Sequence, residues 1–195
     1  MKSLVTSRGN PYLTIIWLSI LGSCLLFLFL VFTFMWRSQA SDWEPIEMPR
    51  AFFFSSIVIA FSSVALHFAN RSFKYEDYKG FFSWIGIALG LGIAFCLLQF
   101  SGWRFLTQSG VRFQDIGGSF IYILTGLHFF HLILGLGGLA WLGVDGYKNK
   151  RYVDGYIGSL NPAKRSLLKM VTIFWHFLAL LWYSLFLVLF LGLKN

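Results

Sequence analysis

The stretch PYLTIIWLSILGSCLLFLFLVFTFMW, residues 11–36, contains no charged side chain. A bilayer's hydrocarbon core is roughly 30 Å thick, and about 20 apolar residues of α-helix cross it. A run of this kind near an N-terminus could instead be a secretion signal: Lys2 and Arg8 precede it, and Ser38-Gln39-Ala40 has the form of a cleavage site. A signal's apolar core is only about 7–15 residues long, so the segment is expected to be retained as a transmembrane helix.

The rest of the chain repeats the pattern. Of 195 residues, 57% are hydrophobic and 12% charged, with a mean hydropathy of +0.68; soluble domains carry about 25% charge. Four further stretches, 51–69, 81–100, 117–144 and 170–193, have the length and composition of a span. The sequence therefore predicts an all-α polytopic membrane protein, one bundle of five transmembrane helices over residues 1–195 with no separate soluble domain. The 23 phenylalanines and eight tryptophans suit lipid-facing surfaces and interfacial belts.

A net charge of +8 can signal nucleic-acid binding, but here the basic residues cluster between apolar segments, as topology signals do. Lys2, Arg8, Arg71, Lys74, Lys79, Lys148, Lys150, Arg151, Lys164, Arg165 and Lys169 fall on one side of the five-span arrangement. Arg37, Arg50, Arg104, Arg112 and Lys194 fall on the other. The positive-inside rule then puts the N-terminus in the cytoplasm and the C-terminus in the periplasm. Cys24 and Cys96 lie inside apolar runs with no CxxC or Cys/His cluster, so they read as small core residues, not as a zinc site or disulfide. Gly86 and Gly90 form a GxxxG on the third span with Gly92 nearby, and Gly135, Gly137, Gly138 and Gly143 thin the fourth. Small residues at helical spacing predict close helix packing.

Polar side chains at membrane depth are costly, and few are present: Gln99, Thr125, His128, His131, His176, and His67 near a span end. Glu47 lies in EPIEMPR, between Pro45 and Pro49 at the start of the second span, where a helix N-terminus favours negative charge. His128 and His131 are i and i+3 and share one face with Thr125 and Gly135. Imidazole ligates metals and haem, so these two with His176 could form a site. No carboxylate or cysteine at depth completes a coordination shell, and interhelical hydrogen bonding explains the same residues. No nucleophile–base pair, phosphate loop or paired acid is present. A bis-histidine di-haem cytochrome or a small transporter with glycine-interrupted spans are the alternatives of a different class.

The residues also carry a resemblance. TGLHFFHLILG at 125–135 resembles the TGxHGxH-x3-G signature of subunit III of haem-copper terminal oxidases. FWHFLALLWYSLFLVLF at 174–190 is similar to that family's WHFxDxxW last helix, with Trp175, His176, Phe177 and Trp182 in place. IEMP at 46–49 resembles the family's LExP lead-in to a helix carrying a membrane-edge carboxylate, a role that falls to Glu47. LGLGIAFCLLQFSGW at 89–103 resembles LGxxFxxxQxxEY, and His67 stands near the end of the preceding helix, as in the family. The matches run in order along nearly the whole chain, and five spans fit the short bacterial form. Three positions depart: Ala179 replaces the aspartate of WHFxDxxW, Gly102 the glutamate of QxxEY, and Phe129 a glycine.

The resemblance implies an accessory subunit, in the inner membrane of a bacterium, of a proton-pumping respiratory oxidase that reduces oxygen to water. It implies no catalytic residue, metal or cofactor in this chain, with haems and copper in partner subunits. Subunit I is the expected main contact and subunit II a further one, within a complex that can extend to a respiratory supercomplex. Bound phospholipid is expected, with Glu47 at a lipid-filled cleft and Arg50, Arg71 and Lys74 as lipid-phosphate partners. His128, His131 and His176 are expected to form buried hydrogen bonds between the fourth and fifth spans or to a neighbour. The electron donor, cytochrome c or quinol, is not distinguished by these residues.

Overall fold

The computed structural model describes residues 11–40, 45–148 and 162–193. Its helices are α1 (Pro11–Arg37), α2 (Arg50–Lys74), α3 (Tyr78–Gln108), α4 (Ile116–Lys148) and α5 (Pro162–Gly192). All five are long and apolar enough to cross a membrane, and the described residues contain no strand. Each helix outruns its apolar stretch. In α3, 31 residues at 1.5 Å rise make about 46 Å, more than the hydrocarbon core. The backbone ladder continues into the interface, where basic side chains can reach water. Arg71, Lys74, Lys79 and Arg104 consequently stand on helix ends and not in loops, and the expected 70–80 loop shrinks to Tyr75–Asp77. Lys2, Arg8, Lys150, Arg151 and Lys194, all used in the topology count, lie outside the described residues.

That short turn is built from local chemistry. Glu76 adopts a left-handed backbone, φ 60°, which reverses the chain at a non-glycine residue. Asp77 then caps α3 by accepting from the Gly80 amide at 3.0 Å. Three residues force α2 and α3 into an antiparallel pair. Packing continues from α3 to α4, α4 to α5, and α5 back to α2, closing a four-helix ring; α1 lies outside the ring against α5 and α4.

The seam of α3 has a strict rhythm. Its buried residues are Phe81, Ile85, Ala88, Gly92, Phe95, Gln99, Gly102 and Leu106, alternating steps of four and three. A seven-residue repeat keeps one stripe facing its neighbours along a left-handed bundle. Gly86 and Gly90 miss this stripe: nothing lies within 4 Å of where their Cβ atoms would stand. The expected GxxxG contact is therefore not made by that pair, and Gly92 makes it. A Cβ on Gly92 would come 2.6 Å from Leu136 Cδ2 and 2.8 Å from Trp175 Cη2. Gly135 and Gly138 likewise admit Leu178, Trp175 and Val171 from α5, while Gly137 faces outward. Cys24 and Cys96 are half-buried free thiols.

Candidate functional site

Single polar pairs join neighbouring helices inside this apolar bundle. Gln99 Nε2 on α3 donates to Ser55 Oγ on α2 at 3.2 Å. On α5, Trp182 Nε1 donates to Ser56 Oγ at 2.9 Å, and Tyr183 donates its hydroxyl to the Ser56 carbonyl at 2.7 Å. Trp103 Nε1 on α3 donates to Thr125 Oγ1 on α4 at 3.0 Å, and the Thr125 hydroxyl donates in turn to Ile121 O. Ser62 Oγ donates to Ala88 O, a second α2–α3 link. Interhelical hydrogen bonds of this kind contribute about 0.6 kcal/mol each in a membrane, so they fix register more than they drive association.

The three span histidines take three different roles. His131 is half-buried, with Nδ1 2.8 Å from Leu127 O and Nε2 3.1 Å from Ser23 Oγ. A carbonyl only accepts, so Nδ1 carries the proton; in the neutral ring Nε2 then accepts from the Ser23 hydroxyl. His131 thus ties α4 to α1, where a bond to the fifth span or to a neighbour was expected. His128 is fully buried, and neither ring nitrogen has a hydrogen-bond partner among the described residues. Its ring packs at 5.3 Å from Trp182 and 5.8 Å from Phe95, so it serves as an aromatic filler where a polar link was expected. His176 is exposed on α5, outside the bundle core. The α4–α5 seam is closed by packing, with His128 on Trp182 and with Gly135 and Gly138 receiving side chains of α5.

A substitution separates the roles of the two α4 histidines. His128→Leu removes a buried group whose polar atoms are unpartnered, so it is expected to change stability by no more than about 1 kcal/mol. Thermal unfolding followed by circular dichroism, with the haem content of the membranes as a second readout, checks this.

The other expected site residues are spread over the molecule. Trp175 is buried between Gly92 and Gly135, its indole N–H without a partner among the described residues. His67 is exposed on α2. Glu47 does not sit in the first turn of α2, because Pro49 is the N-cap and Arg50 opens the helix. It is exposed on a cleft of about 580 Å³ between the ends of α1 and α2 and the connector before α4, with Arg37, Ser109, Gln114 and Asp115. Arg50 is exposed at the start of α2, whereas Arg71 and Lys74 lie at its far end, with Arg71 5.8 Å over the Tyr75 ring. The three basic residues therefore do not form one group. Among the described residues no three His, Cys, Asp or Glu side chains converge as a metal site would require.

Sequence reasoning missed Ser23, Ser56, Asn70, Trp103 and Thr172. The hydroxyls of α2 carried a signal: Ser55, Ser56, Ser62 and Ser63 recur at helical spacing in an apolar segment.

No family model matches the chain. Curated relatives do. Cytochrome c oxidase subunit 3 of Thermostichus vulcanus is 27% identical, over 80% of this chain and 74% of the relative. A probable cytochrome c oxidase subunit 3 of Mycobacterium tuberculosis is 28% identical over 97% and 93%. Cytochrome c oxidase subunit 3 of Bacillus subtilis is 25% identical over 96% and 89%. Nearly end-to-end similarity in distinct bacteria joins an ordered set of motifs on five spans. Along most of its length the chain is similar to cytochrome c oxidase subunit 3. The departures from the subunit III pattern have physical reasons in this structure. At Gly102 a Cβ would overlap Cε1 of the buried Phe52 ring, so the glutamate of QxxEY has no room. Ala179 is buried on the α5 face that also carries Trp175 and Trp182, where a charged aspartate would carry a desolvation cost that alanine does not. Phe129 stacks edge-on against Phe100 at 5.1 Å and Trp103 at 5.3 Å, filling the α3–α4 groove that a glycine would leave open.

Proposed function

We propose that this chain is the cofactor-free accessory subunit III of a proton-pumping haem-copper oxidase that takes electrons from cytochrome c and reduces oxygen to water. The observation that carries the reading is the nearly whole-length similarity to cytochrome c oxidase subunit 3. The haems and copper belong to the partner subunits, of which subunit I is the main contact and subunit II a further one. The complex sits in a bacterial inner membrane with this chain's N-terminus cytoplasmic and its C-terminus periplasmic. The distribution of Lys and Arg supports that orientation.

The packing around His128 favours a subunit without haem. Aromatic rings stand within 6 Å of its ring centroid on two sides, and a macrocycle would need that volume. What the chain supplies is then mechanical: a rigid apolar scaffold that packs on the catalytic subunit, retains lipid, and keeps proton uptake competent through repeated turnover. Metal analysis and an optical spectrum of the separated chain test this directly. Neither iron nor copper is expected above trace, and a stoichiometric haem band would refute it. Glu47 is assigned to a lipid-retaining cleft near the membrane edge. Glu47→Gln is expected to leave the initial turnover rate unchanged while shortening the activity lifetime and lowering lipid content. Unchanged lipid content and lifetime would remove Glu47 from that role.

A further inference from the structure

At one depth of the bundle two buried side chains carry polar atoms that no described residue satisfies. Gln99 on α3 and His128 on α4 are both fully buried, and Gln99 Oε1 and the two His128 ring nitrogens have no partner among the described residues. Native structures rarely leave such atoms unpaired, because the lost hydration is not recovered.

The register of the helices sets the two groups level with each other. Across the α3–α4 seam Trp103 bonds Thr125, and Gly92 meets Leu136. Between those rungs each step back along α3 is a step forward along α4. Gln99, four residues before Trp103, therefore stands opposite His128, three residues after Thr125. Packing agrees: the His128 ring lies 5.8 Å from Phe95, one turn from Gln99 on the same buried stripe of α3.

Hydrogen bonds to α2 fix which way the Gln99 amide points. Ser55 and Ser56 each donate their hydroxyl proton to Phe52 O at 2.9 Å. Both serine oxygens can then only accept, so the end of the amide facing Ser55 is Nε2, at 3.2 Å. Oε1 is left as an acceptor on the side away from Ser55. Opposite it, a neutral imidazole offers one N–H in either tautomer. An acceptor and a donor thus face each other across a seam with no direct bond between them, the arrangement that a bridging water completes.

We propose that one ordered water binds between Gln99 and His128 in the core of the bundle. It donates to Gln99 Oε1 and accepts the imidazole N–H, and so has the minimum of two polar partners that a buried water needs. An apolar ligand would leave both groups unpaired. A metal ion would find no cluster of ligands, since no three His, Cys, Asp or Glu converge among the described residues. Trp175 Nε1, also without a described partner, belongs to another layer, beside Gly92 and Gly135 and about 10 Å from Trp182 along α5.

The water closes a belt around the helix ring. Trp182 on α5 bonds Ser56 on α2, the adjacent Ser55 accepts from Gln99 on α3, and the water carries the link to His128 on α4. The His128 ring then packs back on Trp182 at 5.3 Å. Its role is to hold the α3–α4 register one turn from the Trp103–Thr125 bond. One such link is as modest as the other interhelical bonds, so the small stability change expected for His128→Leu is unaltered. The proposal rests on the helix ring alone and stands apart from the oxidase-subunit reading.

The test is X-ray radiolytic footprinting of the full chain, purified in mild detergent with whatever subunits accompany it. Hydroxyl radicals form from water and oxidise the side chains beside it. Phe95 and His128 are expected to oxidise several-fold faster than Phe27, which is buried against a histidine whose nitrogens both have partners. Gln99→Leu is expected to bring both down to the Phe27 rate. Wild-type rates no higher than that of Phe27, or no fall in the variant, would overturn the proposal. A cryo-electron microscopy map of the wild type that shows ordered waters needs no variant. A peak within hydrogen-bond distance of both Gln99 Oε1 and a His128 nitrogen is expected. A direct Gln99–His128 bond in its place would overturn the proposal.

Discussion

Gly102→Glu, which restores the carboxylate of the family pattern, is expected to be the most damaging single substitution in the chain. Phe52 fills the space beside Gly102 and is fully buried. Its ring cannot retreat, because Trp182 stands edge-on to it at 5.7 Å and Phe95 packs behind Trp182 at 5.0 Å. Overpacking alone makes Gly102→Ala cost about 1–3 kcal/mol. The glutamate adds a carboxylate at a buried position, a further desolvation cost. A double-mutant cycle isolates the cause. With Phe52→Ala in the background the Gly102→Ala step is expected to become nearly neutral, a coupling of at least about 1 kcal/mol. Thermal unfolding in detergent, read by circular dichroism, measures each corner. Equal cost in both backgrounds would mean that the Phe52 ring is not what excludes a side chain at 102.

Trp182 is the second position where a large effect is expected. It is buried among Phe52, Phe95 and His128 and is tied through Ser56 to α2, so one side chain joins α2, α3, α4 and α5. Trp182→Ala is expected to cost about 3–5 kcal/mol, as for other buried large-to-small changes. Trp182→Phe keeps most of the ring contact and loses only the Ser56 bond, so it should cost about 1 kcal/mol or less. The two variants are compared by the temperature at which the purified protein loses its monodisperse peak in size-exclusion chromatography. Similar losses from both would put the stabilisation in the hydrogen bond and not in the packing.

The five spans were legible because hydrocarbon thickness imposes a length on any apolar helix, and lipid leaves no other way to satisfy the backbone in a chain of this composition. Helix ends were not, because apolarity stops at the interface while the hydrogen-bond ladder of α3 runs on to Gln108. The glycine contacts were misplaced for a related reason. A GxxxG spacing names two residues on one face but not which face is inward; the seven-residue rhythm through Ala88, Gly92, Phe95 and Gln99 does, and it passes Gly86 and Gly90 by. His128 and His131 were found as a polar pair, yet their partners come from distant segments. Ser23 is 108 residues from His131, and Trp182 reaches His128 only after α5 returns alongside α4. The bond from Asn70 on α2 to Thr172 on α5, 102 residues away, was hidden in the sequence for the same reason.

The most direct test of the account is affinity purification of this chain, tagged, from aerobically grown native membranes under mild solubilisation. The complex is expected to contain a large haem-bearing oxidase subunit in equal stoichiometry and to show a reduced-minus-oxidised haem spectrum. After dissociation that spectrum should remain with the partner, leaving this chain colourless. Elution of the chain alone, or a haem spectrum that stays with it after dissociation, would contradict the proposed role of an accessory oxidase subunit.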